Sequence, residues 1–181
     1  MTHPLRYDTI QQRKNYILNS SSITTIISGG QTGADRGGLD AAMHEGISTT
    51  GYVPKGRLAE DGKVPSKYPL EEMSSKAYPP RTRANAKLAG FTVIFTTGEL
   101  TGGSLLTQNI CIKLDKPNLH IDLDSLTSDK KRCLALRKLD QQICQANTTT
   151  LNVAGSRESQ SPGIQDKVRD FMIAFFHQNL T

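Results

Sequence analysis

The feature that most constrains this chain is an abrupt change of character between residues 23 and 36. Ile23 to Ile27 is apolar and β-branched, the composition of a buried strand. Ser28-Gly29-Gly30-Gln31-Thr32-Gly33 follows. Helical patterning then resumes at Asp35, with Leu39, Ala42 and Met43 on one face. Strand, glycine turn and helix in that order build an anion site. Glycine lets the backbone turn with positive φ and lets a ligand come close to the N–H groups. The first turn of the helix adds unpaired N–H groups and the positive end of the helix dipole. The spacing matches neither G-x-G-x-x-G nor the P-loop with its Lys-Ser/Thr pair. Either the turn holds a phosphate or it is a tight connection without a ligand, and three glycines in six residues favour the phosphate.

The device recurs. Residues 91–96 read as a strand, Thr97-Gly98-Glu99-Leu100-Thr101-Gly102-Gly103-Ser104 as a second glycine turn, and 105–114 as its helix. Further strands are expected at 47–53, 118–123 and 149–153, and further helices at 35–45, 81–88, 128–147 and 164–178. Alternation of this kind means an α/β fold with a parallel sheet and right-handed crossovers. With strand order 2-1-3-4-5, strands one and three lie side by side. Their glycine turns then face each other across one crevice at the carboxyl edge. Residues 54–67 and the loop after the fifth strand would wall that crevice. The Pro, Gly and charge content of 54–67 argues against regular structure there, and the loop is either functional or a solvated surface. A length of 181 residues suits one domain over 23–181, preceded by an extension over 1–22. Within that extension 7–18 has the makings of a short helix and 19–22 of a flexible link.

Composition narrows the ligand. The net charge of +5 favours an anion. Nucleic acid is disfavoured, because there is no basic run, no Trp and no interleaving of aromatic with basic residues. No apolar run reaches the length of a membrane span, and the N-terminal residues do not resemble a secretory signal. Cys111, Cys133 and Cys144 are odd in number, lack metal spacing and fall on apolar helix faces. They read as core thiols of a reducing cytoplasm.

Roles follow from chemistry. Backbone N–H groups from Gly29 and Gly30 through Gln31, Thr32 and Gly33 are expected to hold phosphate, with the Thr32 hydroxyl adding a donor. Gly102, Gly103 and Ser104 form a second cradle. Lys55, Arg57 and Arg157 are candidates to neutralise the anion, an Arg fork making two parallel bonds. Asp35 either orients a ligand N–H or hydroxyl or caps its helix. Glu158 and Asp61 either meet the ligand or pair with basic residues. Arg81 either reaches the site or caps strand ends. Bulky substitution at Gly30 or Gly103 is expected to block the anion while sparing the fold. No catalytic residue or metal ligand is assigned.

The run from Ser28 to Arg36 resembles the opening of the molybdenum carrier family, also called molybdenum-cofactor carrier proteins. Pro54-Lys55-Gly56-Arg57, Ala59-Glu60-Asp61-Gly62, Tyr68-Pro69-Leu70, Arg81-Thr82 with Asn85, Leu100 to Ser104, Lys116-Pro117, Asn152 to Glu158 and Ser161-Pro162-Gly163 carry the same likeness. The resemblance implies a Rossmann-like three-layer sandwich with a mainly parallel five-stranded sheet, related more loosely to nucleotide-binding proteins of the LOG type. It also implies a cytoplasmic homo-oligomer that binds molybdenum cofactor (molybdopterin) as its ligand and hands it to molybdoenzymes. Arg36, Glu158 and the residues of both glycine turns become cofactor-binding candidates. The chain departs from the family pattern at Ala89-Gly90, at Tyr52-Val53 and in the extension before Ile23. The alternative is a nucleotide-binding enzyme or sensor acting on a nucleoside phosphate. LOG-type phosphoribohydrolases carry glutamates shortly after the second glycine motif, where this chain has Gln108 and Asn109, and an amide cannot supply carboxylate chemistry.

Overall fold

The computed structural model describes residues 23–178; the extension over 1–22, with the helix and link expected there, lies outside the described residues. Fourteen elements follow in chain order: β1 (Thr25–Ile27), α1 (Ala34–His44), β2 (Ser48–Thr50), β3 (Tyr52–Val53), β4 (Leu58–Ala59), β5 (Gly62–Lys63), β6 (Glu71–Glu72), α2 (Tyr78–Leu88), β7 (Phe91–Thr96), α3 (Gly102–Lys113), β8 (Asn118–Asp122), α4 (Asp129–Gln145), β9 (Thr150–Gly155) and α5 (Ile164–Gln178). Pro79 and Pro80 open α2, where their missing N–H groups are no loss. The Ser128 hydroxyl caps α4 by accepting from Lys131 N–H.

Five strands form one wholly parallel sheet in the order β2-β1-β9-β7-β8. The α/β class and the five parallel strands agree with the sequence. The strand order does not: the last strand enters between the first and third, giving 2-1-5-3-4 rather than 2-1-3-4-5. The reason is burial. β7 is buried along its whole length, and β9 buries four consecutive residues, Leu151 to Ala154. A strand apolar on both faces needs neighbours and helices on every side, so it belongs in the centre. The edge strands β2 and β8 keep partly exposed positions. Counted from β9 as strand one, the order becomes 3-2-1-4-5, the doubly wound arrangement with its chain start moved.

Helices α1, α4 and α5 form one layer and α2 and α3 the other, as right-handed crossovers require. The main core lies between α1, α5 and the sheet, where Phe95 and Phe171 meet edge to face at 5.3 Å. Ser28 fixes β1 to β9 by donating to the Val153 carbonyl at 2.8 Å.

Residues 47–53 are not one strand. Gly51 separates β2 from β3, and β3 leaves the main sheet to pair with β6. The polar loop after it contains a small hairpin, β4 with β5, contrary to the expectation of no regular structure. The hairpin is anchored rather than self-supporting: Arg36 makes two bonds to Asp61, at 2.6 and 2.8 Å. Cys111 is fully buried, but Cys133 and Cys144 are only partly so, a correction to the reading of three core thiols. Among the described residues no helix is long and apolar enough to cross a membrane.

Candidate ligand-binding site

A cavity of about 240 Å³ opens at the carboxyl edge of the sheet, over the end of β9. Its wall is drawn from four places. The first glycine turn gives Gly29, Gln31 and Asp35. Helix α2 gives Tyr78, Arg81, Thr82 and Asn85. Helix α3 gives Gly103, Leu106 and Thr107. β9 and its loop give Asn152, Ala154, Gly155, Arg157 and Gln160. The two glycine turns thus reach one crevice although β9 separates their strands. Residues 54–67 do not line it.

The expected residues divide sharply. Gln31, Asp35 and Arg157 line the cavity, with Gly29 and Gly103. Arg36 points away, donating to the Gly30 carbonyl at 3.1 Å and clamping Asp61. That pairing holds the Asp61 carboxyl below its ordinary value. Arg57 is engaged by four backbone carbonyls, of Val64, Pro65, Tyr68 and Leu70, at 2.8–3.1 Å. It scaffolds its own loop instead of facing an anion. Lys55 is exposed and away from the cavity wall. Glu158 caps α5, accepting from Gly163 N–H and Gln165 N–H. The Ser104 hydroxyl is turned to Thr101, bonding both its N–H and its carbonyl.

The Thr32 hydroxyl is also engaged, donating to Glu60. Glu60 further accepts from the Ser159 hydroxyl and N–H, and Arg157 lies 4.0 Å away. Burial pushes the Glu60 carboxyl up, but hydrogen bonds from Ser159 and Thr32 outweigh it and hold it low. An internal carboxylate therefore takes donors that the sequence suggested for phosphate.

Gly30 and Gly33 turn with φ of +68° and +81°. A Cβ on Gly30 would sit 2.8 Å from Val64 Cγ1 and Leu70 Cδ1; one on Gly33 would sit 2.4 Å from the Ser156 carbonyl oxygen. The expectation that a bulky residue at Gly30 spares the fold is therefore corrected, since the space belongs to the loop. At Gly103 nothing lies within 4 Å.

What the sequence underweighted is Arg81. It is 9% exposed, its Nη1 lies 3.2 Å from Asp35 Oδ2, and its Nε has no partner. Burial pushes the Asp35 carboxyl above its ordinary value, opposed by Arg81 and by the N–H groups of Gln31 and Gly29. Gln31 is 5% exposed, and its Oε1 accepts from both Thr32 N–H and Glu60 N–H. The amide orientation is thereby fixed, and Nε2 is left as a second buried donor without a partner. Two guanidinium groups lie near the Tyr78 ring, Arg81 at 5.7 Å and Arg157 at 5.0 Å from its centre. Tyr78, Thr107, Asn152 and Gln160 stand in no motif with a mechanism of its own; Asn85 and Asn152 fall in runs that carry the family resemblance.

Comparison with known proteins agrees with this fold. A crystal structure from Syntrophus aciditrophicus, described as a "putative molybdenum carrier protein", is similar over 86% of this chain and 96% of its own. The two share 41% identity with a TM-score of 0.82. No curated protein matches the chain significantly. The model of the circularly permutated YpsA SLOG family matches residues 26–176. The displaced strand order is what a permuted doubly wound sheet produces. On the sheet order, the extent of the match and the likeness to the Syntrophus protein, the chain belongs to the circularly permutated YpsA SLOG family.

Proposed function

We propose that this protein binds a phosphorylated small molecule, molybdenum cofactor, in the crevice over β9, and delivers it to a molybdoenzyme without turning it over. The observation that carries this reading is the pair of buried, partnerless donors, Arg81 Nε and Gln31 Nε2, at one cavity. A buried donor without an acceptor costs about 1–3 kcal/mol, and an oxyanion in the crevice is the kind of acceptor both lack. The open space at Gly103, in the first turn of α3, adds a helix N-terminus with room for the anion. The molybdenum named in the description of the Syntrophus protein supports the choice of cargo. A cavity of this size takes the anionic end, and the rest of the ligand crosses the rim of Tyr78 and Arg157. Exposed Leu88, Leu105 and Ile112 on α2 and α3 give the apolar surface that a homo-oligomer would cover. We place the activity in the cytoplasm.

A nucleoside phosphate is the second reading, favoured by the doubly wound switch point at which the cavity lies. Equilibrium titration with isolated molybdenum cofactor and with a panel of nucleoside monophosphates separates the two. The carrier reading expects tight cofactor binding that is lost in Arg81→Met and kept in Lys55→Ala. Binding of a nucleotide but not of the cofactor, or steady release of free base, would overturn it.

A further inference from the structure

Asp35 is the one carboxylate among the residues lining the cavity, and no His or Lys lines it. It is paired with Arg81, which also lines the crevice and whose buried Nε has no partner. Arg83 and Lys87 of α2, Glu99 of the second turn and Lys113 of α3 do not line the cavity, and the other charged groups nearby are placed as follows. Arg36, from α1 itself, holds Asp61 of the β4–β5 turn. Glu60 of the same turn bonds Thr32 and Ser159. Glu158 caps α5, and Arg157 lies partly exposed over Tyr78 at the rim.

We propose that anion binding in this crevice is proton-linked, Asp35 taking up one proton from solvent as a dianion seats against Arg81 Nε and Gln31 Nε2. The inference rests on the anion-binding reading above and adds its regulation. With Asp35 ionised, its charge and that of Arg81 cancel. A dianion then brings two negative charges to a largely buried carboxylate. Like charge at that range disfavours the ionised acid. Arg157 also lines the cavity but is partly exposed, and two anions sharing the one buried guanidinium cost more than protonating one of them. The proton leaves the whole Arg81 charge to the ligand. Burial already raises the proton affinity of Asp35, so the added step is small. The sign follows: the bound protein holds its proton more tightly than the free one, so affinity rises as pH falls between the two values and is flat outside them.

Sulfate tests this on the full chain, because it stays a tetrahedral dianion from pH 5 to 8 and any proton must go to the protein. Calorimetric titration in two buffers of different ionisation enthalpy is expected to show uptake of up to one proton. Affinity is expected to rise by up to about tenfold per pH unit of acidification. Asp35→Asn, which fixes the uncharged form, is expected to bind sulfate more tightly than the wild type at pH 8 and without pH dependence. Sulfate binding by the wild type with no proton uptake overturns the linkage and leaves the anion site standing. So does Asp35→Asn binding more weakly at pH 8. If sulfate, inorganic phosphate and adenosine monophosphate all fail to bind, the anion-site reading falls and the linkage falls with it.

Discussion

The two glycine turns have the same sequence layout and opposite surroundings. In the turn after β1, every glycine meets protein: Arg81 over Gly29, Val64 and Leu70 over Gly30, the Ser156 carbonyl over Gly33. In the turn after β7, Gly98 and Gly103 have nothing within 4 Å. The first turn is a packing hub that presents Gln31 and Asp35 to the crevice, and the second leaves its backbone open to the cavity. Glycine in such a turn can therefore serve close approach of the protein to itself or leave room beside the backbone. Sequence spacing does not tell them apart.

The largest effect should come from removing what pins the first turn. Arg81→Met leaves Asp35 buried without its cation and is expected to lower stability by about 3–5 kcal/mol. Adding Asp35→Asn to that chain should recover part of the loss, which urea denaturation reads as a double-mutant cycle. Near-additive losses would mean the pair is not coupled. Next is Gly33→Ala, expected to cost about 2–4 kcal/mol from left-handed strain and the clash with the 156–158 backbone. An unchanged denaturation midpoint would show that the first turn is as open as the second.

Asp61→Ala should cost about 0.5–1 kcal/mol, since its carboxylate is half-exposed and screened. Its pH dependence has a definite sign. Arg36 lowers the folded carboxyl below its ordinary 3.8, so the contribution is present above that pH and fades as pH falls through the folded value. Wild type and variant should therefore converge in stability only in strong acid; a gap that closed by pH 6 would contradict the pairing. The smallest effect on stability belongs to Gly103→Ala, expected within about 1 kcal/mol of wild type and, if anything, stabilising for a helical position. Gly103→Val should still fold yet weaken binding of sulfate or cofactor. Unfolding of that variant would erase the contrast between the turns.

Much of the fold was legible. The third strand at 91–96 and the last helix at 164–178 were placed with their observed bounds, because each is long and strongly patterned. The short pieces between β2 and α2 were not, since two-residue strands carry no periodicity and are held by side chains elsewhere, Asn85 on β3, Arg36 on the β4–β5 turn and Arg57 on the loop before β6. For the site, residue type pointed to the crevice at Gln31, Asp35, Gly103 and Arg157. It did not show that Arg57 bonds its own loop outside the cavity lining, or that Arg81 lines the cavity beside a partner 46 residues away in sequence.

The sequence by itself determined the local alternation of strand and helix and the two glycine turns, because these depend on neighbours along the chain. Tertiary structure alone decided that β9 enters between β1 and β7, and hence which loops meet over the crevice. It also decided which basic residues keep a donor free. Both depend on competition among distant groups for the same buried space and the same hydrogen bonds. The guanidinium of Arg57 found four carbonyls within its own loop, whereas that of Arg81 was carried by α2 to a cavity in which its Nε has no partner.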